Sequence, residues 1–202
     1  MIVHLIRHGE TIWNRDKLFQ GQSDIELTEL GKKQSHSVAS KILECAPKTV
    51  YTSPLSRAKY IADLISKEIG SSSIQIKNMI ELDLGELEGK TGEDLRANWP
   101  DIISNWRSHP SRVKMPSGES FAQLHDRVTA GLHDLIKSQD ESPIVVVSHN
   151  FVIKLLICHV LGLTVDSLHK IHVDLASVSS ILVEEGHSSL LALNGISHLN
   201  YL

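Results

Sequence analysis

Aromatic residues are scarce in this chain, with three each of Phe, Trp and Tyr among 202 residues. The core must therefore be built from Ile, Leu, Val and Ala, and stacking platforms for unpaired nucleic-acid bases are few. Excess positive charge is missing too. Lys and Arg number 20 against 24 Asp and Glu, a formal charge of −4 with neutral His. That balance argues against nucleic acid or anionic lipid as a partner and leaves any anion site to be local. No apolar run approaches the roughly 18 residues of a membrane span. Cys45 and Cys158 have neither CxxC spacing nor a finger-type His pair; both fall in apolar helical patterns and read as reduced core thiols. The opening Met1-Ile2-Val3-His4-Leu5-Ile6 lacks the basic region, apolar stretch and cleavage site of an export signal, so a cytoplasmic protein is expected. At about 150 residues per domain, 202 residues predict a single domain, 1–202, carrying an insertion.

What is present alternates between strand and helix patterns. Ile2-Val3-His4-Leu5-Ile6 is a β-branched run that stops at Arg7-His8-Gly9, and Thr28 can cap a helix running to Cys45 with Pro47 beyond. Thr49-Val50-Tyr51-Thr52 reads as a strand, Ser53-Pro54 as a helix cap with Pro at the first helical position, and Ile74-Gln75-Ile76 as a third strand. Residues 79–89 mix acids with glycines like a loop. From 90 to 118 strand signals vanish and Trp99, Pro100, Trp106, Pro110 and Pro116 appear, the composition of a helical cap insertion. Ser120 and Gln123 make a capping box ahead of a helix whose apolar face is Phe121, Leu124, Val128, Leu132 and Leu135. Ile144-Val145-Val146-Val147 predicts a central strand buried on both faces, followed at Ser148-His149-Asn150 by an apolar helix over 151–161 closed by Gly162. Runs at 178–183 and 190–193 suggest two more strands around a turn at Gly186. This order predicts a three-layer α/β/α sandwich around a mostly parallel sheet, with a small helical cap insertion.

In such sheets ligands bind outside the carboxyl ends of the strands. Two of these ends carry His8 and His149. Arg57, at the start of a helix, and Glu81, in the loop after the third strand, can reach the same rim beside Arg7. Guanidinium groups bind phosphate oxygens bidentately, an imidazole can attack phosphorus, and a carboxylic acid can protonate a leaving oxygen, so the set is coherent for phosphoryl chemistry.

The blocks that carry these residues are also familiar. Leu5-Ile6-Arg7-His8-Gly9-Glu10-Thr11 with Trp13-Asn14 and Gln20-Gly21 resembles the signature of the histidine phosphatase superfamily, the phosphoglycerate mutase-like group. The resemblance continues through Leu27-Thr28-Glu29-Leu30-Gly31-Lys32-Lys33-Gln34, Thr52-Ser53-Pro54-Leu55-Ser56-Arg57-Ala58, the stretch from Glu81-Leu82-Asp83 to Glu88-Gly89, and Val147-Ser148-His149-Asn150. It implies that His8 becomes a phosphohistidine, that Arg7, Arg57 and His149 clamp the phosphate, and that Glu81 donates the proton. It implies hydrogen bonds from Asn14 and Gln20 to the transferring group, with Gly21 and Asn150 counted among the substrate-binding positions. It implies no metal and no other cofactor. Departures are Leu84 and Leu87, where small phosphatases of the group often carry an aromatic residue, and Glu26, where they often carry Pro.

The expected activity is metal-independent hydrolysis of a small-molecule phosphate ester, with no nucleic-acid or membrane partner and an undetermined oligomeric state. One alternative is a 2,3-bisphosphoglycerate-dependent mutase, disfavoured because the 68 residues from Glu81 to His149 are few for a mutase insertion. Another is a non-catalytic phosphate-binding module, disfavoured because His8, Glu81 and His149 are all present. Arg112 and Lys114 are candidate contacts to a second anionic group of the substrate. His169 and His172, three apart, are a weaker candidate for a metal site.

Overall fold

The computed structural model describes residues 1–138, 143–184 and 187–200. Strands β1 (Ile2–Arg7), β2 (Thr49–Thr52), β3 (Ile74–Gln75), β4 (Ile144–Ser148), β5 (Val178–Glu184) and β6 (His187–Gly195) form one sheet in the order β3-β2-β4-β1-β5-β6. The first four run parallel, while β5 is antiparallel to β1 and β6 to β5. The sheet is thus mixed, with its parallel part in the half that carries the strand ends read above. Gly186, the expected turn, lies outside the described residues.

Alternation along the strands assigns the two faces. Val3, Leu5, Ile144 and Val146 pack on one side with helices α6 (Phe121–Ser138) and α7 (Asn150–Val160). Ile6, Val50, Val145 and Val147 pack on the other with α2 (Glu29–Leu43) and α3 (Ser56–Glu68). Every residue of β4 is buried, as a strand covered on both faces must be. The layers are helix, sheet, helix, as expected.

Local signals act where they were read, with two exceptions. Thr28 accepts from the Gly31 amide at 3.0 Å, and Ser120 and Gln123 exchange reciprocal bonds of 2.9 and 3.1 Å. Gly162 closes α7 in the left-handed region at φ +65°. Ser53, however, caps no helix: α3 begins at Ser56 after Leu55, and the Ser53 hydroxyl is engaged by His149 at 2.7 Å. Cys45 is not a core thiol either, because α2 ends at Leu43 and the chain turns through Ala46 at φ +48°, leaving Cys45 exposed while Cys158 is buried.

Residues 90–118 hold two helices, α4 (Gly92–Asn98) and α5 (Pro100–Ser108), on the α6/α7 side. Four of the nine aromatic rings meet there: Trp106 contacts Phe19, Phe121 and Phe151 with centroids 5.3–5.8 Å apart. No described helix is long and apolar enough to cross a membrane.

Candidate active site

The register of the sheet builds the site. Arg7 is the partner of Ser148 across the parallel β1–β4 pair, so the next residue of each strand, His8 and His149, emerges side by side at the carboxyl end. From there the chain diverges, β1 leading through α2 to β2 on one side and β4 through α7 to β5 on the other. Such a divergence opens a crevice between neighbouring strands. The two imidazoles stand with centroids 5.2 Å apart, both almost wholly buried.

His8 Nδ1 lies 2.8 Å from the Gly9 carbonyl oxygen, which can only accept, so Nδ1 carries the proton and Nε2 keeps its lone pair. Burial first, then Arg57 and Arg7, hold the ring well below the ordinary histidine value and keep it neutral at pH 7. His149 is held low by burial and then by Arg57, His8 and Arg7. Its Nε2 meets Ser53 Oγ at 2.7 Å, and its Nδ1 is buried with no partner among the described residues. When the Ser53 hydroxyl donates to Nε2, Nδ1 carries a proton and becomes a second donor in wait of an acceptor.

Arg7 donates through Nη1 to the Val173 carbonyl at 2.7 Å, and its Nε is buried and unpartnered among the described residues. Arg57 is anchored by the carbonyls of Ser23 (2.7 Å) and Gly21 (2.6 Å). Gln20 oriented with its amide oxygen toward Arg57 Nε accepts at 2.8 Å, while its nitrogen donates to Thr11 Oγ1 at 2.5 Å. Thr11 in turn donates to Asn14 Oδ1 at 3.0 Å and caps the short α1 (Ile12–Arg15). Burial lowers the pKa of both guanidinium groups to about 10, which leaves them cationic at neutral pH. Two buried donors without acceptors beside two fixed cations form a receptor for an oxyanion, since each such donor otherwise costs about 1–3 kcal/mol of lost solvation.

Glu81 is buried, and its two carboxyl oxygens accept from the backbone N–H groups of Leu82 (2.9 Å) and Phe151 (3.2 Å). Burial raises its pKa; those two bonds, then Arg57 and Arg7, oppose the rise. A cavity of about 270 Å³ is lined by Arg7, His8, Asn14, Gln20, Arg57, Glu81 and Asn150, together with Lys17, Phe19, Leu84 and Phe151. Gly21 does not line it; its carbonyl anchors Arg57. Leu84 is a wall residue.

Arg112 and Lys114 do not line this cavity. Val113 and Met115 between and beyond them are buried in the core, and the alternation turns Arg112 and Lys114 to solvent. His169 and His172 do not converge: one meets the Trp106 carbonyl at 2.5 Å and the other Asp174 at 2.9 Å. Among the described residues no three His, Cys, Asp or Glu side chains gather as metal ligands would.

Sequence reasoning missed Arg127. From α6 its guanidinium donates to the carbonyls of Asn78 (2.8 Å), Ile80 (2.7 Å) and Glu81 (2.9 Å) and pairs with Glu119 at 2.7 and 2.8 Å. It thereby fixes the loop that carries Glu81. The available signal was a basic residue between the buried Leu124 and Val128, an arrangement that by itself looks like any solvated helix charge. Thr11 was more legible, as a Thr three residues ahead of Asn14.

A cationic pocket around a neutral imidazole, at the switch point of an α/β/α sandwich, defines a phosphoryl-transfer class of site. The sequence pattern of the histidine phosphatase superfamily (branch 1) matches residues 3–195, and the chain belongs to that family. Phosphoserine phosphatase 1 of Hydrogenobacter thermophilus is 32% identical over 195 residues, covering 96% of this chain and 92% of that protein. The alpha-ribazole phosphatase of Shigella flexneri superposes with a TM-score of 0.88 at 28% identity over 96% of each chain. The phosphoserine phosphatase of Entamoeba histolytica, solved in complex with phosphoserine, gives 0.86 at 32% identity over 98% of each.

Proposed function

We propose that the chain hydrolyses a small phosphorylated metabolite in two steps through a phosphohistidine on His8. It is a phosphoric monoester hydrolase. In the first step the Nε2 lone pair of His8 forms a bond to phosphorus, and the ester P–O bond breaks with its electron pair on the departing oxygen, which takes a proton from Glu81. In the second, Glu81 removes a proton from water, the water oxygen bonds to phosphorus, and the P–N pair returns to Nε2 as phosphate leaves. Arg7, Arg57 and His149 carry the charge spread over the equatorial oxygens, with Asn14, Gln20 and Asn150 as further polar contacts. The residues 90–118 act as a cap beside the entrance.

The observation that supports this reading most is the Gly9 carbonyl on His8 Nδ1, which commits the other ring nitrogen to the role of nucleophile at a pocket with two cations and two unpartnered donors. Relatives named as phosphatases of small metabolites lend it further support. The test is phosphate release from a panel of phosphorylated metabolites in EDTA, with and without 2,3-bisphosphoglycerate, followed by rapid quench. Acid-labile, base-stable label on His8 is expected. Label on His149 reverses the two roles, dependence on added metal removes the all-cation account, and transfer to an organic acceptor makes the chain a mutase.

A further inference from the structure

Beside the pocket over His8 lies a second cavity of about 290 Å³, and Phe19, Asn150 and Phe151 line both. Its wall is apolar at Leu95, Ile103 and Trp106. The exposed Arg96 and Arg107 and the half-buried Lys154 also line it, while no Asp or Glu does among the described residues. None of the three cations has a side-chain hydrogen bond or ion pair among the described residues. The contrast with Arg127 is direct, because that partly buried cation is neutralised by Glu119. Lys154 stands on α7 one turn after Asn150 and is half-buried; burial lowers its pKa, and both Arg7 and Glu81 are near enough to bear on it. A half-buried ammonium with no ion-pair partner among the described residues, and Glu81 acting only from a distance, carries an electrostatic cost that an anion supplied by a ligand reduces.

We propose that this cavity is a second subsite that selects phosphate monoesters whose carbon body lies on the apolar wall and bears another anionic group, read by Lys154 with Arg96 and Arg107. The proposal rests on the phosphatase reading, since a phosphate held by Arg7 and Arg57 is what brings the rest of the ester here. The second anion that Arg112 and Lys114 were expected to meet thus falls to other residues. A carboxylate and a second phosphate share the required chemistry.

The test uses non-hydrolysable pairs, so that binding is read without turnover: 3-phosphonopropionate against propylphosphonate, and 4-(phosphonomethyl)benzoate against benzylphosphonate, titrated calorimetrically into the full chain. The charged member of at least one pair should bind about tenfold or more tightly, the size of one charge-assisted hydrogen bond. Lys154→Met should collapse that ratio toward one and Lys154→Arg should keep most of it. A fold defect in Lys154→Met would weaken both members of a pair alike, and Arg107→Gln gives an independent loss of preference at a surface position. A bisphosphonate that outranks the carboxylate identifies the second anion as phosphate. Equal binding within both pairs in the natural chain, or a preference that survives in both Lys154→Met and Arg107→Gln, overturns the subsite. Absence of phosphate release from every ester, with the binding preference intact, instead overturns the hydrolase reading alone.

Discussion

Arg127 Nη2 donates to the carbonyl oxygen of Glu81 at 2.9 Å, from a helix 46 residues further along the chain. With Asn78 and Ile80 held by the same guanidinium and Glu119 bonded to it twice, the backbone under the acid is set before any ligand arrives. A lysine is a point charge and cannot hold three carbonyls and a bidentate carboxylate together. Arg127→Lys should therefore lower kcat on an alkyl phosphate about tenfold or more, because a misplacement of about 1 Å can cost up to 10²-fold. The phosphorylation step with p-nitrophenyl phosphate, which needs little acid assistance, should lose less. Equal losses on both esters would make Arg127 a stability residue only.

Glu81→Gln removes the transferable proton and nearly keeps the shape, at the cost of one of the two bonds accepted from the Leu82 and Phe151 amides, because an amide has a single acceptor oxygen. An alkyl ester should then stall before phosphorylation. With p-nitrophenyl phosphate the first step should persist while attack by water slows, so stopped-flow mixing should record a burst of nitrophenol and quenched samples should hold phosphohistidine. Slowing by one common factor without a burst would assign the proton to another carboxylate, with Asp83 the next to test.

Stability should depend on pH through the two buried imidazoles. In the folded chain His8 and His149 are held well below their ordinary value of 6.5, so between those lowered values and 6.5 the unfolded chain binds protons that the native state refuses. Stability is then full above pH 6.5 and declines below it, by about 1.4 kcal/mol per pH unit for each proton. Glu81, raised by burial, has the opposite sign: the native state keeps its proton longer, and that contribution is lost as pH rises above the ordinary 4.5. His4, His159 and His198 add to the acid slope, so variants must be compared with the natural chain. Urea midpoints at pH 7.5, 6.5 and 5.5 should fall less steeply in His8→Gln/His149→Gln; parallel slopes would refute the assignment.

Gly21 has a backbone task. A Cβ there would stand 2.7 Å from the Leu82 carbonyl oxygen and would collide with Glu88 Oε1, the same carboxylate that accepts from the Gln22 and Ser23 amides. The strand of loop displaced is the one whose carbonyls anchor Arg57. Gly21→Ala should raise KM and the inhibition constant for inorganic phosphate together, by about tenfold for one weakened charge-assisted contact. Unchanged phosphate inhibition would show that the loop absorbs the methyl group.

The parts of this molecule written in local patterns were legible in the sequence. The β-branched runs at β1 and β4 announce buried strands, and their ends carry Arg7, His8 and His149 whichever strands adjoin them. Register was not legible, since nothing local says that Arg7 pairs with Ser148 or that the chain diverges between those strands. That Arg112 and Lys114 fall outside the cavity lining was not legible either, since it depends on the buried Val113 and Met115 that turn them outward. Ser53 was read as a cap because its other partner, His149, is 96 residues away. The aromatic cluster at Trp106 escaped for the same reason, its members coming from four separated segments.

The position of β1 in the sheet bears on how the molecule is made. Its two neighbours are paired through Val3 with Ile144 and through Ile2 with Leu182, separations of 141 and 180 residues. At about 5–20 residues per second of translation, β1 waits roughly ten to thirty-five seconds for its second partner. Until β4 emerges it is an apolar ribbon with both edges open to other chains and to chaperones, and until β5 emerges one edge stays open. The backbone of Arg7 and His8 is bonded to Ser177 and Ala176, and the Arg7 side chain to the Val173 carbonyl, so a nascent chain that has not yet reached those residues lacks part of what seats the anion pocket.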